Sequence, residues 1–290
     1  MAGDLRIRVI TALVLMTGFV VATTLLQPFY FAIFIALFVL VGSWEWGGFI
    51  QIQHKRGRLG FIVTIALMIL GLFFLLGVTP GAREIDGFRV VLILSLGLLF
   101  WFMSLLILRG YPDNAQRWND QSKIALMGLC ALIPTWVGMV QLKYLLPNGL
   151  LVLALIVMVA AVDIGAYFFG TALGHTKLAP RLSPNKSWEG VWGGLLTCFT
   201  LGLALVWLLD QFVVSLDFAQ RVSLVLLGLT VTFFGVIGDL VESMLKRNCE
   251  LKDSGSLLPG HGGLLDRIDA LLAVTPAFVL TLLLTLTDIS

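Results

Sequence analysis

Ser243 to Asp269 gathers most of the chemistry in this chain. These 27 residues hold four cations (Lys246, Arg247, Lys252, Arg267), four carboxylates (Glu250, Asp253, Asp266, Asp269) and His261, in a chain that is 59% hydrophobic and 12% charged. Charge is costly beside lipid and marks function there. Carboxylate oxygens hold hard cations, and fixed lysines and arginines neutralise phosphate. The glycines of Pro259-Gly-His-Gly-Gly263 let backbone N–H groups approach phosphate oxygens closely. The set predicts a magnesium-dependent phosphate chemistry. Lys252-Asp253-Ser-Gly reads as a turn. Pro259 to Gly263 cannot form a stable helix in lipid, so it must be buried in protein or line a watered site. Asp266 and Asp269 open the last helix at i and i+3. Capping and the helix dipole explain one acid there better than two, and two can hold a cation. His261 suits proton transfer and loop hydrogen bonding equally.

A second inner loop, Gly174 to Gly190, offers Lys177, Arg181, Lys186, Ser183 and Ser187 for phosphate. Two prolines and a Ser183-Pro-Asn turn should make it rigid, which a merely lipid-attracting basic patch would not need. Four acids lie within apolar runs. Glu45, between Trp44 and Trp46, reads as an interfacial residue reaching headgroup water. Asp163 shares a helix face with Tyr167 and Gly170 and must line a polar cavity or meet a cation. Gly and Ala beside it would let another helix or a ligand come close. Asp239, Glu242, Ser243 and Lys246 form one stripe at i, i+3, i+4 and i+7. The stripe serves either an internal salt bridge to Lys246 or the polar block.

The elements that must position these residues are membrane spans. Mean hydropathy is +0.99, and about twenty apolar residues cross a bilayer. Nine spans are expected, at 7–26, 29–50, 59–78, 89–108, 124–145, 150–173, 191–209, 222–243 and 268–287. This is an all-α polytopic membrane protein with short connections and no internal repeat. With the N-terminus inside, 15 of the 19 Lys and Arg fall in inner loops, and only Arg83, Arg89, Lys143 and Arg221 fall outside. That bias puts the N-terminus in the cytoplasm, the C-terminus in the periplasm and a polar cavity toward the cytoplasm. Residues 1–150 form an N-terminal group of about five spans. Residues 151–290 form the catalytic region, with cytoplasmic loops 174–190 and 246–266. Three cysteines without paired spacing speak against a disulfide framework or a zinc site. No nucleic-acid partner is expected; the basic inner loops suit membrane lipids or an anionic substrate.

The block also carries a pattern. Ser243-x-Leu-Lys246-Arg247, Lys252-Asp253-x-Gly-x2-Leu-Pro-x-His261-Gly-Gly-x2-Asp266-Arg267-x-Asp269 resembles, position for position, the signature of the phosphatidate cytidylyltransferases of bacterial type. Asp163-x-Gly-Ala-Tyr, Lys177-Leu-Ala-Pro, the run from Leu182 to Gly190 and Gly238-Asp239-Leu-x-Glu-Ser extend the likeness upstream. The first 150 residues resemble the family more weakly, and Ile164 stands where many relatives carry a small hydroxyl residue. The resemblance implies a reaction of CTP with phosphatidic acid to give CDP-diacylglycerol and pyrophosphate. It also implies a multi-span protein of the bacterial inner membrane, a homodimer, magnesium with an accompanying potassium, and metal ligation by Asp239 and Asp266. Lys246, Arg247 and Lys252 would then hold triphosphate, and Lys177, Ser183 and Lys186 one phosphate group. Asp163, Asp253, His261 and Asp269 would shape the site, with Ser187, Ser243 and Arg267 on substrate. A CTP-dependent lipid or polyprenol kinase and an ion-coupled secondary transporter are the rival readings. The CDP-alcohol phosphotransferase signature is absent.

Overall fold

In a computed structural model, residues 2–52, 54–212, 216–258, 260 and 262–286 are described. Among them the chain forms α1 (Ala2–Leu25), α2 (Pro28–Phe49), α3 (Lys55–Leu76), α4 (Gly87–Gly110), the single turn α5 (Ala115–Trp118), α6 (Gln121–Leu145) and α7 (Leu150–Leu173). A ribbon of β1 (Lys177–Ala179) and β2 (Ser183–Ser187) follows, then α8 (Trp188–Phe212), α9 (Phe218–Asn248) and α10 (Leu265–Leu286). Eight of these helices (α2 to α4 and α6 to α10) are long and apolar enough to cross a membrane, and α1 adds a shorter apolar stretch, Ile10–Leu25. Helix ends follow local chemistry. Pro28 starts α2, where its missing N–H costs nothing. Asp86 and Asp120 cap α4 and α6, and Asp217 with Gln220 makes a reciprocal box on α9.

At the centre stand α6 and α10. Every residue of α6 from Ala131 to Tyr144 is buried, including Gln141 and Lys143, whose ammonium donates to Thr23 O. α10 packs on α9, α6 and α4, joining late helices to early ones. The outer helices turn Phe74, Phe88 and Leu106 outward, a surface suited to lipid tails. Between helices, polar side chains bond to backbone carbonyls. Trp46 Nε1 donates to Ile124 O at 2.9 Å, Trp136 Nε1 to Ala32 O at 3.0 Å and Thr135 Oγ1 to Leu272 O at 3.2 Å. α7 and α8 meet through small residues. A Cβ on Gly165 would stand 2.8 Å from Gly193 O, and one on Gly194 would stand 2.9 Å from Val162 O. The Gly and Ala flanking Asp163 do bring a second helix close.

Two expectations fail here. Glu45 is 3% exposed and Trp46 2%, so neither reaches out to headgroup water; both point into the bundle. The Ser183-Pro184-Asn185 segment is strand, not turn. It belongs to β2, pairing antiparallel with β1 in the register Lys177 with Ser187 and Ala179 with Ser183. The chain reverses at Pro180–Leu182 instead, where Leu182 N–H bonds to Ala179 O. Pro184 is tolerated because both strands of a two-stranded ribbon are edges.

Candidate active site

A cavity of about 330 Å³ opens where the end of α7, the ribbon, the start of α8 and the lower half of α9 converge. Asp163, Ser183, Asn185, Lys186, Ser187 and Asp239 supply its polar lining. Lys186 Nζ pairs with Asp239 Oδ2. Asp163 lies within electrostatic reach of both. It therefore both lines a polar cavity and faces a cation, the two outcomes its position required. The ribbon that carries Lys186 is tied down at each end. The Glu189 carboxylate accepts the Thr176 N–H at 3.0 Å. Ser187 Oγ accepts the Gly190 N–H at 3.2 Å, and Arg247 Nε donates to Leu182 O at 3.4 Å. Three segments far apart in sequence thus converge on one cavity.

One turn further along α9 a second cluster begins. Ser243 Oγ donates to Asp239 Oδ1 at 3.3 Å. Lys246 Nζ then bridges Glu242 Oε2 at 2.8 Å and Asp266 Oδ1 at 2.7 Å. Asp266 Oδ2 accepts the N–H groups of Ser254 and Gly263, both at 2.9 Å. Glu45 reaches the same loop from α2. Its two oxygens accept Leu264 N–H at 3.0 Å and Leu265 N–H at 2.8 Å, and Oε2 takes the Ser254 hydroxyl at 3.2 Å. Glu45 and Asp266 therefore satisfy the orphan amides at the start of α10. The fit leaves no room for side chains at two glycines. A Cβ on Gly255 would sit 2.6 Å from Glu45 Oε1, and one on Gly263 would sit 2.7 Å from Glu45 Oε2. Gly262 has φ 82°, the region glycine favours.

Asp269 completes the arrangement. Asp239 and Glu242 both act on its carboxyl, and it shares a small enclosed space with Glu242, Trp46 and Trp101. Glu242 is 5% exposed, and its Oε1 has no hydrogen-bond partner among the described residues. Among the described residues, Asp163, Asp239, Glu242, Asp266 and Asp269 cluster around the ammonium groups of Lys186 and Lys246. Hard oxygen donors in excess of local positive charge fit a divalent cation. Among the described residues no three His, Cys, Asp or Glu side chains converge as a ready cage. A magnesium ion would need only one or two carboxylates and would complete its shell with water and substrate phosphates. The Lys246 ammonium already stands as a cation against Asp266 Oδ1.

The remaining predicted residues are placed more loosely. Lys177, Arg247, Lys252 and Asp253 are exposed, around the mouth of the two clusters. The Asp253 side chain lies against Gly262. Arg267 turns the other way and lines an apolar cleft with Leu257 and Leu258. His261 lies outside the described residues. Sequence reasoning missed Glu45 as a loop anchor, Ser254 as its hydroxyl partner and Asn185 in the cavity lining. A charged residue in the apolar run of α2 was the available signal for Glu45.

The comparisons with known proteins agree with one another. Residues 6–285 match the Cytidylyltransferase family. A phosphatidate cytidylyltransferase of Pseudomonas aeruginosa is 40% identical over 276 residues, covering 94% of this chain and 95% of that protein. One of Haemophilus influenzae is 37% identical over 289 residues, covering 94% and 97%. One of Bacillus subtilis is 46% identical over 120 residues, 41% of this chain and 42% of that protein.

Proposed function

We propose, because this chain belongs to the cytidylyltransferase family and is a nucleotidyltransferase, that it joins CTP to phosphatidate, giving CDP-diacylglycerol and pyrophosphate. One observation carries the reading: a cavity of carboxylates and ammonium groups stands at one end of a bundle whose outer surface is lipid-compatible. A phosphate oxygen of phosphatidate attacks the α-phosphorus of CTP. The new P–O bond forms as the bond to the β-phosphate oxygen breaks, and the electron pair leaves with pyrophosphate. Two polyanions must meet, so positioning and electrostatics supply the rate.

In this reading Lys186 holds a phosphate group in the cavity, and the Ser183 hydroxyl lies beside it. Ser187 keeps the ribbon in register, and Asp163 orients the Lys186 ammonium. Lys252 and Arg247 take the triphosphate at the mouth. Lys246 holds Asp266 and, through it, the loop from Ser254 to Gly263. Magnesium, with or without potassium, would be held by Asp239 and by Asp266 Oδ1, and would neutralise phosphate charge there. The protein would sit in the bacterial inner membrane as a homodimer, with the site toward the cytoplasm.

Purified protein in detergent, given phosphatidate, magnesium and α-labelled CTP, should move the label into the lipid phase and release pyrophosphate, and EDTA should stop it. Label passing into lipid from γ-labelled CTP instead, with CDP released, would replace this reading with a lipid kinase.

A further inference from the structure

An apolar cleft runs beneath α1. Its outer part, about 390 Å³, is walled by Leu15, Met16 and Phe19 of α1 and by Phe38 of α2, and is closed at the site end by Leu258 and Arg267. Its inner part, about 220 Å³, passes between α6, α7 and α10, past Met139, Ile156 and Leu271. Met16, Phe19 and Phe38 line both parts, so the two adjoin. The inner part has no polar surface to offer water: its one hydroxyl, on Thr135, already bonds to Ala131 O and Leu272 O. At membrane depth such a space takes hydrocarbon.

The cleft leads to the polar site. Ile156 and Asp163 lie seven residues apart on one face of α7, so the carboxylate stands about 10 Å further along the same wall. On α10, Ile268 lines the cleft immediately before Asp269. Among the described residues one charged side chain lines the cleft, Arg267, at the end nearest the loop. We propose that this cleft, walled on one side by α1, holds an acyl chain of phosphatidate. This rests on the function proposed above.

A phosphatidate carrying a diazirine near the end of one acyl chain tests the placement by binding alone. Photolabel is expected on the peptides containing Met16 and Leu271, displaced by unlabelled phosphatidate and not by phosphatidylcholine. Equal displacement by phosphatidylcholine would make the cleft a boundary-lipid site, and label confined to other helices would empty it; either result overturns the proposal. Ile156→Trp and Met139→Trp fill the inner part, displacing about two methylenes. The KM for dioleoyl phosphatidate should rise roughly tenfold, with the KM for CTP and turnover of dihexanoyl phosphatidate unchanged. Ile164→Trp, on the exposed face of α7, controls for bulk in that helix. Equal losses on both lipids would also overturn the placement. If the unaltered protein makes no CDP-diacylglycerol, the functional reading fails on its own, while the labelling still scores the cleft.

Discussion

Asp239 and Asp266 sit one helix apart and carry the same charge, yet their surroundings differ. Asp239 faces the cavity, a third exposed, with Lys186 across from it. Asp266 is 8% exposed, and its Oδ2 accepts two backbone amides. Asp239→Asn should therefore abolish lipid labelling, by about a hundredfold or more, and leave the thermal unfolding midpoint in detergent nearly unchanged, because a partly exposed pair contributes little. Asp266→Asn should lose activity and stability together. It weakens a buried acceptor of N–H groups, at a cost of about 1–3 kcal/mol. Matching melting curves for the two variants would refute the distinction. Glu45→Ala leaves the Leu264 and Leu265 amides without acceptors. Hydrogen exchange across Ser254–Leu264 should accelerate while the middle of α6 stays protected; unchanged exchange in that loop would remove Glu45 from its role.

At the scale of elements, the junction of α7 and α8 sets the distance from Asp163 to Lys186. Gly194→Val pushes a branched side chain against the Val162 carbonyl. It should move Asp163 away from the cavity, cutting turnover at least tenfold while the protein still enters the membrane. Full activity would show that the cavity tolerates helix separation. These elements were legible in part. Apolar runs located the helices, but hydropathy reads the lipid boundary and not the hydrogen-bond ladder. Hence α9 begins at Phe218 and runs through the charged Lys246 and Arg247, beyond the expected 222–243. The stripe from Asp239 to Lys246 was readable because i and i+4 partners are neighbours on any helix, and the Glu242–Lys246 pair forms as that spacing allows. Glu45 was not readable. Its partners lie 209 to 220 residues away, and beside tryptophans a buried acid and an interfacial one look alike. Ser183-Pro-Asn looked like a turn because composition cannot tell a turn from an edge strand that spares the proline its N–H.

For the molecule as a whole, the charge bias predicts an orientation. With native cysteines replaced, Thr79→Cys, between α3 and α4, should react with a membrane-impermeant maleimide in intact cells. Ser256→Cys, in the loop before α10, should react only after the membrane is opened. The reverse pattern would invert the topology and place the site outside. The halves expected from sequence, 1–150 and 151–290, meet through α10 and through Glu45.

That last contact has a consequence for how the protein is made. Glu45 enters the membrane with α2, but Ser254, Leu264 and Leu265 are added more than two hundred residues later. At about 5–20 residues per second, the carboxylate waits roughly ten to forty seconds for the amides it is built to receive. A chain that stops before α10 leaves that carboxylate without the amides that answer it. The nascent enzyme thus carries its own mark of incompleteness, erased only when the last helix is in place.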